Sequence, residues 1–121
     1  MSKKILIIDD DEILVDLLRN KLEESGFAVF IARNGVEGLK AIKKENPDII
    51  LLDIVMPEMG GFEVMEELQK EGIQIPIIIV SNSGQPVEID LAQKLGAKDW
   101  LIKTDFDPKE VLEKVIKQIN K

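Results

Sequence analysis

The chain has 121 residues, 45% of them apolar, and a formal net charge of −7 from 16 Lys+Arg against 23 Asp+Glu. That length and apolar content suit one domain with a sizeable core, while the negative field opposes approach to phosphate backbones and anionic lipid surfaces. The absence of Cys and His excludes disulfides, thiolate zinc sites, thiol nucleophiles, imidazole bases and phosphohistidine chemistry on this chain.

The first apolar run, "KILII" at 4 to 8, is aliphatic almost throughout, as in a strand covered on both faces. It ends on Asp9 and Asp10. Asp11 and Glu12 then open a helix whose positions Ile13, Leu14, Leu17, Leu18 and Leu22 form one apolar stripe, closed by Gly26. The second run, "FAVFIA" at 27 to 32, precedes a helix with Asn34 and Glu37 as its capping pair and Val36, Leu39 and Ile42 inward.

"DIILLD" at 48 to 53 is the third strand, ending on Asp53. The turn-rich "MPEMGG" leads from it to a helix over about 62 to 71, with Phe62, Met65 and Leu68 inward. "IPIIIV" at 75 to 80 ends on Ser81, and a helix over 86 to 95 follows, with Pro86 in its first turn and Gly96 past its end. "DWLIK" at 99 to 103 ends on Lys103. "DPKE" opens the last helix with Asp107 as cap, Pro108 at the first helical position and Glu110 reaching back. Val111, Leu112, Val115, Ile116 and Ile119 lie along one face of that helix.

Five strand–helix units with short connections predict a doubly wound α/β sandwich of three layers around a parallel sheet. One domain over 1–121 is expected, with no effector domain. No apolar stretch approaches the roughly 20 residues that span a bilayer, and the N-terminus lacks a signal peptide's apolar core. A cytoplasmic protein with no membrane partner is expected.

In open α/β sheets ligands bind beyond the carboxyl ends of the strands. Asp9, Asp10, Asp53, Ser81 and Lys103 all fall there, and they converge on one rim if the first and third strands are neighbours. Two carboxylates about 4 Å apart repel by about 4 kcal/mol at an effective dielectric near 20, so a cation belongs among them. With only oxygen donors at hand, Mg²⁺ fits best. Asp11 and Glu12 are explained as an acidic helix start. For Asp9 and Asp10 taken alone, a helix start and a metal site are equally good readings.

The whole constellation resembles the receiver domain of two-component response regulators, of the chemotaxis-receiver kind. The likeness rests on the acidic pair after the first strand and on "LLDIVMPEMGG", with Pro57 four and Gly61 eight residues beyond Asp53. It rests further on Ser81 after the fourth strand and Lys103 after "GAKDWLI", and it covers essentially the whole chain. The resemblance implies a flavodoxin-like fold with strand order 2-1-3-4-5 and five helices.

It also implies that Asp53 accepts a phosphoryl group from a sensor histidine kinase, a phosphotransfer protein or a small phosphodonor. Asp10 would bind Mg²⁺ directly and Asp9 mainly through water, with Asp53 and the Val55 backbone carbonyl as further oxygens. Lys103 would hold a phosphoryl oxygen, and Ser81 would donate its hydroxyl to the phosphoryl group. The implied output is a switch of the surface of helix four, strand five and helix five toward an unknown output protein, or toward a second phosphorylated copy. No direct nucleic acid binding is expected. Such a domain is not an enzyme, since it catalyses only its own phosphorylation and slow dephosphorylation.

Four positions depart from the family pattern. Trp100 stands where receivers more often carry Tyr or Phe, and two readings of it weigh equally: a switch residue moving with Ser81, or an edge-strand aromatic with no switching role. Thr104 replaces a proline that commonly follows a cis bond, so a trans Lys103–Thr104 peptide is expected. Asn82 replaces a small residue and should narrow access to Asp53. Apolar Val55 predicts slow loss of the phosphoryl group.

Two other function classes compete. An Mg²⁺-dependent aspartyl-nucleophile phosphatase of the haloacid dehalogenase type would usually carry a second Asp where this chain has Val55. A constitutive receiver-fold interaction module would not need Asp9, Asp10, Asp53, Ser81 and Lys103 together.

Overall fold

The structure is a computed structural model that describes residues 2–104 and 107–120. Five strands and five helices alternate: β1 (Lys4–Ile8), α1 (Glu12–Glu24), β2 (Ala28–Ala32), α2 (Gly35–Glu45), β3 (Ile49–Leu52), α3 (Gly61–Lys70), β4 (Ile77–Ser81), α4 (Pro86–Lys94), β5 (Ala97–Ile102) and α5 (Pro108–Ile119). The sheet is parallel, as the strand–helix alternation predicts, and its order β2-β1-β3-β4-β5 is the one the family resemblance implies. Among the described residues no helix is long and apolar enough to cross a membrane.

Alternation along the central strands explains why they are aliphatic on both sides. Leu6 and Ile8 of β1 join Ile50, Leu52, Val64, Met65, Leu68 and Ile79 in one buried cluster, under α2, α3 and α4. Ile5 and Ile7 join Leu18, Leu22, Leu51, Ile78, Val111 and Val115 in the other, under α1 and α5. Each strand therefore contributes to two cores, and β1, β3 and β4 have no polar face until they end.

The helix starts follow from their caps. Asn34 Oδ1 accepts the Glu37 N–H at 2.9 Å, and Asp107 Oδ1 accepts the Glu110 N–H at 3.1 Å. The return bond expected from the Glu37 and Glu110 carboxylates is made at α3 instead, where Glu63 accepts the Gly60 N–H at 3.4 Å. At the end of α1 the Phe27 N–H reaches the Leu22 carbonyl and the Gly26 N–H that of Glu23, with Gly26 at φ +92°. This left-handed closure turns the chain into β2.

Two of the apolar stripes need correction. On α1 the buried residues are Val15, Leu18 and Leu22, while Ile13 is 84% and Leu17 49% exposed. Leu14 is half-buried. On α5, Val111 and Val115 are buried and Ile116 is exposed. In both helices apolar residues run beyond one face, so the sheet, which spacing does not locate, selects the arc that is covered.

Candidate functional site

The rim is built by strand ends. The Asp9 N–H donates to the Ala32 carbonyl and the Asp53 N–H to the Ile8 carbonyl, so ladder hydrogen bonds carry both residues one step past their strands. Ser81 is the last residue of β4, and the Lys103 N–H donates to its carbonyl at 2.7 Å. Asp9, Asp53 and Ser81 are the buried polar residues of the described chain; Asp10 is exposed at the mouth.

The Lys103 ammonium joins residues far apart in sequence. Its Nζ lies 3.1 Å from both Asp9 oxygens and 3.1 Å from Asp53 Oδ2, with only 8% of its side chain exposed. The remaining demand is met locally: the Asp11 N–H donates to Asp9 Oδ1 at 3.0 Å, and the Ile54 N–H donates to Asp53 Oδ1 at 2.8 Å. Asp9, Asp10 and Asp53 each bring one carboxylate oxygen within 4.8 Å of the others.

Three carboxylates face one ammonium, which leaves two negative charges and an all-oxygen donor set at a partly open mouth. These residues fit a hard divalent cation such as Mg²⁺.

Burial pushes the Asp9 carboxyl up to about 6, and the Asp53 charge adds to the rise; the Asp11 N–H and Lys103 oppose it. Burial alone would lower Lys103, but the Asp9 charge and hydrogen bond, with those of Asp53, outweigh it and raise the ammonium above its ordinary value. Asp9 therefore binds its proton more tightly in the folded chain than in the unfolded one, and its contribution to stability falls as pH rises from near 4 through about 6. Relative to Asp9→Asn, the metal-free wild type is expected to gain stability between pH 7 and pH 5, as read by urea unfolding at both values. A constant difference would contradict the raised value.

Not every expected residue joins this cluster. The Ser81 hydroxyl is engaged within its own loop, where the Ser83 N–H donates to it at 3.4 Å. Val55 lies in the loop after β3 with an exposed side chain. Trp100 is half-buried on edge strand β5 against Ile79 and α4, and its Nε1–H donates to the Ser83 carbonyl at 2.8 Å. The Ser83 hydroxyl in turn donates to Glu88 Oε1 at 3.0 Å. Ser83 thus touches both Ser81 and Trp100, a role that "SNSG" hides behind an ordinary turn composition. The Lys103–Thr104 peptide is trans, as expected from the lack of proline.

A family model described as the response regulator receiver domain matches residues 5–116. The alkaline phosphatase synthesis transcriptional regulatory protein PhoP of Bacillus subtilis is 39% identical over 115 residues, covering 95% of this chain and 48% of that protein. The chain spans about half the length of the curated relatives it matches. A CheY-like response regulator receiver domain protein from Methanospirillum hungatei superposes with a TM-score of 0.92 at 31% identity, covering 99% of this chain and 95% of that one. The receiver domain of a Francisella response regulator does so with 0.92 at 30% identity, covering 98% of each. Receiver domains generally bind Mg²⁺ through an acidic cluster, pair with histidine kinases or phosphotransfer proteins, and act as phospho-acceptor switches rather than enzymes. The profile match, the strand order and these relatives agree: this chain belongs to the receiver domain family of two-component response regulators.

Proposed function

We propose that residues 1–121 act as a single receiver unit that takes a phosphoryl group on Asp53. The observation that carries this reading is the Lys103 ammonium lying 3.1 Å from both Asp9 and Asp53 beside the open carboxylate of Asp10. One Asp53 oxygen attacks phosphorus in line; the new P–O bond forms as the P–N bond of a phosphohistidine, or the P–O bond of acetyl phosphate, breaks toward its leaving group. Lys103 follows the transferring oxygens as a point charge and balances part of the charge that builds on them. Asp9, Asp10, Asp53 and the Val55 carbonyl would hold Mg²⁺, which when bound neutralises the rest. Ser81 turns its hydroxyl from its own loop toward the phosphoryl group.

The output is a population shift of the α4, β5 and α5 surface toward a protein partner, either an output protein or a second phosphorylated copy. Val87 and Leu91 of α4 and Ile116 of α5 are large exposed apolar side chains on these elements. Beryllofluoride with Mg²⁺, followed through the single indole of Trp100, tests the site: wild type should respond and Asp53→Ala should not. A response that survives the substitution would sink the reading.

Trp100 holds the unphosphorylated arrangement, because its indole N–H pins the Ser83 carbonyl in the loop that Ser81 must drag inward. Phenylalanine has no donor. Losing one such bond is worth about 1 kcal/mol, so Trp100→Phe should tighten beryllofluoride binding about fivefold. Calorimetric titration measures this; unchanged or weaker binding would make Trp100 a passive edge aromatic.

A further inference from the structure

The loop between β3 and α3 carries a backbone feature that phosphoryl transfer to Asp53 does not itself require. Glu58 sits at φ +67°, and the Met59 N–H donates to the Pro57 carbonyl at 2.8 Å. An i→i+2 bond around a residue of positive φ is the rare, strained form of γ-turn. The other non-glycine residue of positive φ among those described, Asn46, is of a type that tolerates this region and closes α2. Glutamate has no such excuse.

Strain of this kind persists only where the surroundings over-determine it, and it gathers at functional sites. Here the surroundings do so. The Met59 carbonyl accepts the N–H of Gly35, the first residue of α2, at 2.9 Å, and a Cβ on Gly35 would stand 2.5 Å from that oxygen. The Ile54 carbonyl accepts the Gly61 N–H at 2.9 Å, and a Cβ on Gly60 would lie 2.7 Å from it. A Cβ on Gly61 would run into the Asp53 carbonyl oxygen. The loop is pinned at its root by Gly60 and Gly61 and at its far side by α2. Val55 sits inside the closed segment, and Asp53 immediately precedes it with its carbonyl against Gly61.

We propose that the γ-turn at Glu58, docked through Met59 onto the first turn of α2, is a positioning device that holds the Asp53–Met56 segment ready for the divalent cation. Keeping those oxygens in place before binding removes the ordering cost that a loose loop would add. Glu58 and Gly35 are thus positioning residues. The inference rests on the reading of Asp9, Asp10, Asp53 and the Val55 carbonyl as an Mg²⁺ site.

The test is a calorimetric titration of the full chain with magnesium chloride alone, together with the thermal midpoint of the metal-free protein. Glu58→Gly and Glu58→Asn both delete the carboxylate, so they share any loss due to charge. Asparagine tolerates positive φ but keeps its Cβ restriction, whereas glycine frees the turn. Glu58→Gly should bind Mg²⁺ about fivefold more weakly than Glu58→Asn, the cost of re-ordering the loop, while its metal-free midpoint stays no lower than wild type. Gly35→Ala, which blocks the docking of Met59, should also weaken Mg²⁺. Equal affinities for the two Glu58 variants, with wild type binding normally, would overturn the positioning role alone. Wild type with no Mg²⁺ binding that Asp10→Asn removes would overturn the metal reading, and the positioning role with it.

Discussion

Replacing Asp53 with alanine is expected to abolish incorporation of a phosphoryl group from acetyl phosphate in the presence of Mg²⁺, whereas wild type takes up one group per chain. The expectation rests on the bonding of the neighbouring acids. Both Asp9 oxygens face Lys103 and one also accepts the Asp11 N–H, whereas Asp53 gives only Oδ2 to the ammonium; Asp10 lies exposed at the mouth and makes no hydrogen bond to Lys103. The variant should fold, because Lys103 keeps Asp9 as partner and one of two repelling buried carboxylates is gone. Its thermal midpoint is therefore expected not to fall. Intact mass with peptide mapping reads the outcome. Label on the variant, or none on wild type, would refute Asp53 as acceptor.

Lys103→Met should show the second large effect, on stability and transfer together. Methionine fills a similar volume but leaves Asp9 and Asp53, at 2% and 5% exposure, without their counter-ion. Removing one member of a buried ion pair costs about 3 kcal/mol or more, and removing a charge that meets developing negative oxygens costs about 100-fold in rate. The variant should thus unfold at lower urea without metal and regain much of the loss when Mg²⁺ is added, since a divalent cation can replace the ammonium between the carboxylates. Wild type should gain less from Mg²⁺ under the same conditions. Equal gains would mean that Lys103 and the cation do not share a site.

Much of this was legible in the amino-acid order. Aliphatic runs locate the strands within a residue or two, and in a parallel sheet every strand ends at the same rim, so Asp9, Asp53, Ser81 and Lys103 share an edge as soon as the topology is granted. The caps at Asn34 and Asp107 were equally readable, because a side-chain acceptor three residues before a backbone donor is a local interaction. The covered arc of α1 was not. Ile13, Leu14, Val15, Leu17, Leu18 and Leu22 leave the periodicity undecided, and only the position of the sheet selects Val15 over Ile13 and Leu17.

The sequence by itself therefore determined the elements, their order and the set of chemical groups on the rim, since these depend on local spacing. The tertiary structure alone decided how those groups are joined. Lys103 meets Asp9 across 94 residues and Asp53 across 50, a pairing set by strand neighbourhood and not by any spacing. An irregularity where β5 pairs with Ile77 and Ile78 inserts Lys98 between the partners Ala97 and Asp99, and this turns Trp100 to the α4 side, within reach of Ser83. The strained turn at Glu58 likewise depends on α2 arriving from elsewhere to hold Met59. Backbone angles and long-range ion pairs are consequences of packing, so they appear only once distant segments have been brought into contact.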